Sequence, residues 1–307
     1  MVVGFIGLGR MGELMSANLE RAGFRLQTWD KARKGNRSSA RDAAAGAEVL
    51  ITMVPDGKAV AEAVTAALPG LQRGAVVVDM SSSDPGTTRT LGQMLASRGI
   101  AMVDAPVSGA VAKARDGTLS IMAGGEAADI SRVRPLLEKM GSEIFHCGKL
   151  GAGHATKALN NYLGAAGTIA GFEALLIGQA FGLHPKTLVD VINASTGKNS
   201  TTERKIPQQI FTKAFASGFR IALMSKDVGI AAQLSKDTGV PAPYLKQTLK
   251  HWRDAERSLP AGADHTEIYK YLERLKRRRA PPRRKPAPSR GAGARRSRSR
   301  PRRRRST

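Results

Sequence analysis

Three glycines in the run Gly7-Leu8-Gly9-Arg10-Met11-Gly12 follow an apolar segment, Val2–Ile6, and open an amphipathic one. That G-x-G-x-x-G spacing, between a strand and a helix, suits the pyrophosphate of a dinucleotide. Gly7 permits a tight turn. Gly9 lets the backbone approach the phosphates, and Gly12 lets helix and strand pack closely. The helix N-terminus adds free N–H groups and a positive dipole end. Leu8, Arg10 and Met11 complete the cofactor-binding loop. Asp30 ends the next apolar segment, 23 residues after Gly7. Its carboxylate would accept hydrogen bonds from ribose hydroxyls and repel a 2′-phosphate, which favours NAD. Lys31, Arg33 and Lys34 follow at once and could pair with a phosphate, so NADP stays open. Trp29 reads as a packing residue rather than an adenine platform.

The elements that must hold this loop follow from the hydrophobic pattern. Val2–Ile6, Leu26–Trp29, Val49–Val54, Val76–Asp79 and Met102–Asp104 read as buried strands. Met11–Ala22, Lys58–Ala67 and Thr87–Arg98 read as helices between them. This alternation predicts a parallel sheet covered on both faces. Leu119–Ala123 and Glu143–His146 extend it around a helix near Ile130–Met140. After Gly151 the strand signals fade. One long helix is expected over His154–Gly182, then helices near Pro185–Asn193, Ala222–Thr238 and Ala242–Leu259. Gly164, Gly167, Gly171 and Gly178 on the long helix imply close packing, either in the subunit core or across a subunit interface.

Composition bounds the function. The 307 residues carry 49 Lys/Arg against 25 Asp/Glu, a net charge of +24. Residues 276–307 hold 16 of those cations and no acid, which leaves +8 for the first 275 residues. The chain is therefore a mildly basic body with an arginine-rich tail. The single cysteine, Cys147, excludes a disulfide framework and a Cys-cluster metal site, and fits a reducing cytoplasm. No unbroken apolar run reaches the ~20 residues of a membrane span, so no membrane association is expected. Met1-Val2-Val3-Gly4 lacks the basic start of a signal peptide.

Four ordered stretches resemble the β-hydroxyacid dehydrogenases, the 3-hydroxyisobutyrate dehydrogenase family. They are Gly4–Gly12, Asp104-Ala105-Pro106-Val107-Ser108-Gly109, Gly151–Asn161 with Lys157 at its centre, and Ser225-Lys226-Asp227. The resemblance implies an α/β Rossmann-like N-terminal domain over residues 1–152 and an all-helical C-terminal domain over 153–275. Residues 276–307 are left as a disordered tail. It implies that Lys157 is the catalytic general acid/base and that Asn161, one helical turn on, orients the substrate. Ser108 and Gly109 would hold the substrate carboxylate. Val54, Pro55, Ser82 and Lys226 would line the cofactor. The substrate would be a small anionic hydroxy acid or its semialdehyde, and the assembly a homodimer or homotetramer.

The chemistry agrees with these roles. Hydride transfer to a carbonyl develops negative charge on oxygen, which a lysine ammonium stabilises and then protonates. The reverse reaction needs the neutral amine, which burial or a neighbouring cation such as Lys226 favours. His154, one turn before Lys157, reads as structural. The sequence departs from the family in three places. The interval Asp30–Val49 is too short for the family's helix-strand-helix, with only Ser38–Ala45 helical. Ala110 replaces a common glycine and should prefer negative φ. The tail, without aromatics, is either a solvated appendage or a nonspecific nucleic-acid binder acting through phosphate neutralisation. The latter allows a non-enzymatic, nucleic-acid-associated alternative.

Overall fold

The computed structural model describes residues 1–279. Its N-terminal half is one eight-stranded sheet. Strands β1 (Val2–Ile6), β2 (Arg25–Trp29), β3 (Val49–Thr52), β4 (Val76–Asp79) and β5 (Ala101–Asp104) are parallel, in the order β2-β1-β3-β4-β5. Beyond them β7 (Leu119–Gly124) pairs antiparallel with β5 and with β6 (Val107–Ser108), and parallel with β8 (Gly141–Gly148). The helices are α1 (Gly12–Arg21), α2 (Ala40–Ala44), α3 (Gly57–Ala67), α4 (Pro85–Ala96), α5 (Ala110–Asp116) and α6 (Ala127–Met140).

Strand residues alternate between two cores. Val49, Ile51, Val76 and Val78 join one, while Leu50 and Val77 join the other. The period of two on a sheet buried on both faces accounts for the continuous apolar runs in β3 and β4. Strand order reverses between β1 and β3, which sets a crevice outside their C-terminal ends, where Gly7 and Met53 follow.

The short interval after Asp30 leaves β2 at the sheet edge. Its loop folds back on that edge instead of supplying another strand. Asn36 Oδ1 accepts from Thr28 N at 2.7 Å, and Asn36 Nδ2 donates to Leu26 O at 3.1 Å. Ser39 then caps α2 by accepting from Asp42 N.

The C-terminal half is helical: α7 (Ala152–Phe181), α8 (Pro185–Asn193), a π-helical turn set Thr201–Ile210, α9 (Ile221–Asp237), α10 (Pro243–Ser258) and α11 (Ile268–Arg279). A third core joins α7 to the others through Phe172, Leu176, Val228 and Trp252. Its glycines resolve the packing alternatives in part. A Cβ on Gly178 would sit 2.3 Å from Leu188, and one on Gly171 3.1 Å from Thr201, so both serve contacts within the chain. At 30 residues, about 45 Å, α7 also has the length and composition of a membrane span, which the lack of an unbroken apolar run did not foretell. Half of that apolar window is buried within this fold. α11 continues through residues 276–279, so the segment expected as tail begins helically. The remainder of that expectation lies outside the described residues.

Candidate active site

The glycine loop forms a cradle on the residues expected. Gly7 has φ +102°, and a Cβ there would lie 2.3 Å from Met53 O. A Cβ on Gly12 would lie 1.9 Å from Gly7 O. Beside Gly9 there is open space, so a ligand can reach the backbone. α1 has no side-chain cap. Glu13 N already donates to Gly9 O at 3.0 Å, so it is the N–H groups ahead of it, at the helix start, that are left for phosphate oxygens. This cradle fits a dinucleotide. Asp30 has a second task that the motif did not announce. Its Oδ2 accepts from Leu8 N at 2.7 Å, and Oδ1 accepts from Ala32 N at 2.7 Å and Arg33 N at 2.9 Å. Arg33 pairs with Glu13 at 2.9 Å on the surface. Arg10 reaches out of the loop to Gly218 O in the helical half, at 3.1 Å.

A second convergence lies where α7 and α9 meet the loops after β3 and β4. Ser82, Ser83, His154, Lys157, Asn161, Asp227 and Ile230 line a small cleft there. Lys226 Nζ donates to Pro55 O and Ser82 O, both at 2.9 Å, and pairs with Asp227 Oδ1 at 3.1 Å. Asn161 Nδ2 donates to Asp227 Oδ2 at 2.7 Å. Buried Asp227 thus ties Asn161 to Lys226. Its position beside Lys226 was legible in the Ser225-Lys226-Asp227 stretch, but its partner 66 residues away was not. Burial holds Lys157 below the usual lysine range; Lys226 adds to the effect, and Asp227 opposes it.

α7 is seated by Asp104 at the end of β5. Gly151 N and His154 N each donate to its carboxylate at 2.7 Å. Val54 N donates to Ser81 Oγ at 2.9 Å, which joins the two cofactor-side loops. Ser108 lies on β6, in register with Ser120, and Gly109 follows with φ +139°. Neither belongs to the cleft lining just named. Ala110 takes φ +57°, in the left-handed region, where a negative φ was expected. Ala110 opens α5, and a left-handed backbone places strain on its Cβ.

Residues 2–148 match the family model of the NAD binding domain of 6-phosphogluconate dehydrogenase. Residues 151–272 match that described as NAD-binding of NADP-dependent 3-hydroxyisobutyrate dehydrogenase. The chain is 38% identical, over 87% of its length and 97% of the relative's, to a 3-hydroxyisobutyrate dehydrogenase of Pseudomonas aeruginosa. The chain belongs to the β-hydroxyacid dehydrogenase family. A 2-(hydroxymethyl)glutarate dehydrogenase of Eubacterium barkeri is 35% identical over 89% of this chain and 95% of its own. Among solved structures, the Mycobacterium tuberculosis 3-hydroxyisobutyrate dehydrogenase with L-serine superposes with a TM-score of 0.82 at 33% identity. That match covers 88% of this chain and 98% of the other. As a β-hydroxyacid dehydrogenase the chain is an NAD(P)-dependent oxidoreductase, and the non-enzymatic alternative is not favoured.

Proposed function

We propose that this dehydrogenase interconverts an alcohol β to a carboxylate and the matching semialdehyde or keto acid, with Lys157 as general acid and base. The observation that carries the reading is the Lys157 amine beside Asn161, in a cleft edged by cofactor-side Ser82. Bound nicotinamide supplies or takes up the hydride. In oxidation the neutral Lys157 amine accepts the hydroxyl proton; in reduction its ammonium stabilises the oxyanion and donates. The lowered pKa enlarges the neutral fraction that oxidation needs. Asn161 gives one amide hydrogen to Asp227 and keeps the other for the substrate oxygen. The Ser108 hydroxyl and the Gly109 backbone would hold the carboxylate. Gly7, Leu8, Gly9, Arg10, Met11, Gly12, Asp30, Val54, Pro55, Ser82 and Lys226 would surround the cofactor. Asp30 supports NAD as the preferred form.

The hydroxy acids that appear in the names of these relatives share one skeleton, a hydroxymethyl group on the carbon that carries the carboxylate. They differ in the third substituent, which is neutral in 3-hydroxyisobutyrate, cationic in serine and anionic in 2-(hydroxymethyl)glutarate. A panel across those three charges, with tartronate semialdehyde and threonate added, assayed with NAD and NADP, tests the reading. No turnover with any member and either cofactor would sink it. We further assign residues 1–152 to cofactor binding and 153–275 to the helical domain, which α11 carries on to residue 279, with a separable tail after it. Truncation after residue 279 should leave kinetics unchanged and remove any retention on DNA. A second copy of the chain is the partner expected on the exposed side of α7, where Leu163, Ile177 and Phe181 face outward. A reducing cytoplasm suits a chain with one cysteine, which is free.

A further inference from the structure

We propose that His154 is a positioning residue whose ring, hydrogen-bonded at both nitrogens, fixes the register of α7, and so of Lys157, against the loop after β4. The proposal rests on the reading of Lys157 as general acid and base. His154 precedes Lys157 by one helical turn and borders the same cleft, yet its side chain is wholly buried. Nε2 lies 3.2 Å from Ser81 O. A carbonyl only accepts, so Nε2 carries hydrogen. Nδ1 lies 2.9 Å from Thr88 Oγ1, a hydroxyl that also lies 3.0 Å from Asp84 O and can donate to either. Both ring nitrogens are therefore hydrogen-bonded. Two buried carboxylates flank the ring: Asp79 Oδ2 is 3.5 Å from Nε2, and Asp104 Oδ2 is 3.6 Å from Nδ1.

Those carboxylates are themselves fastened. Asp79 accepts from Thr52 Oγ1 at 2.9 Å, Ser81 N at 3.0 Å and Ser83 Oγ at 2.7 Å. Asp104 accepts from the two backbone N–H groups that start α7. Burial pushes the Asp104 carboxyl up, and His154 draws it back. One ring thus joins β4, α4, β5 and α7 through groups that cannot be left unpaired in a dry interior. The same loop carries Ser82, whose carbonyl holds Lys226. A buried network of this kind specifies one geometry where a purely apolar contact would tolerate sliding. A catalytic group displaced by ~1 Å can lose ~100-fold in rate.

Thr88→Val removes the hydroxyl partner of Nδ1 at nearly constant shape, Thr88→Ser keeps it, and His154→Gln keeps only one of the two ring contacts. We expect Thr88→Val and His154→Gln to lower kcat for hydroxy-acid oxidation by about tenfold or more. NADH affinity, read by fluorescence titration, should stay within about twofold, and Thr88→Ser should return kcat to near that of the parent. Nitrogen NMR of the parent ring should show hydrogen on Nε2, the nitrogen that faces Ser81 O. A ring whose hydrogen sits on Nδ1 alone, or Thr88→Val with parental kcat, overturns the proposal. If His154→Gln does not fold, Thr88→Val and the NMR spectrum decide. Lys157→Ala, measured alongside, separates the two readings. An active Lys157→Ala refutes the role of Lys157, whereas an inert Lys157→Ala with a fully active Thr88→Val refutes only that of His154.

Discussion

At its N-terminal end α7 buries polar groups: Asp104 takes its first N–H groups, His154 is enclosed, and Asn161 is tied to Asp227. At its C-terminal end the same helix exposes hydrocarbon, with Ile177 69% and Phe181 83% accessible. One helix therefore places polar burial where groups must be held and keeps apolar surface where nothing among the described residues covers it. Buried hydrogen-bonded groups specify geometry at little net gain in stability, whereas apolar area gives affinity without fixing orientation. On the proposed reading α7 is two devices in sequence, a mount for Lys157 and a surface for a second copy of the chain.

The sharpest way to break that contrast is at the mount. Lys157→Ala should lower kcat by roughly 100- to 10,000-fold while NADH binding, followed by fluorescence, persists. Turnover near the parental rate would show that the polar end positions something else. At the other end, Ile177→Glu with Phe181→Glu should turn an assembled species into monomers on sedimentation and leave NADH affinity intact. If the mass does not change, the apolar end has no partner copy.

The pH profile sharpens the polar end further. With the Lys157 pKa lowered from 10.5, oxidation should rise with pH and level off below 10.5. The sign follows from the neutral amine being the base. Because Lys226 adds to the lowering, Lys226→Ala should move the break to higher pH. A break that stays in place would remove Lys226 from the electrostatics of the site. The smallest effect belongs to neither end. Ala110→Gly should raise stability by about 1 kcal/mol in denaturant unfolding, since glycine relieves a positive φ. An unchanged midpoint would show that the turn relaxes around alanine.

Much of this was legible because some geometry leaves few choices of residue. The glycine loop could be read from spacing, since a side chain at Gly7 or Gly12 would strike backbone. α7 could be read from its length, and Lys226 from its motif. What could not be read were pairings between distant segments. Asp227 with Asn161, His154 with Thr88 and Ser81, and Arg10 with Gly218 span 66 to 208 residues. No local pattern encodes such a pair. The short α5 and the π-helical Thr201–Ile210 were also missed. A seven-residue helix shows barely two turns of periodicity, and a π-helix with Pro207 inside lacks the 3.6-residue repeat. In α11, by contrast, Ile268, Leu272 and Leu275 recur at helical spacing, so its signal was present in the sequence.

The amide of Asn36 has a consequence for solubility. An edge strand with free N–H and C=O groups is a template for pairing with another chain, and aggregation begins on such templates. β2 is such an edge, and Asn36 occupies one donor and one acceptor on it, the work an additional strand would do at those positions. The loop after β2 can therefore keep a sheet rim from becoming adhesive, with the Asn36 amide and Arg37 N making hydrogen bonds that a further strand would otherwise make.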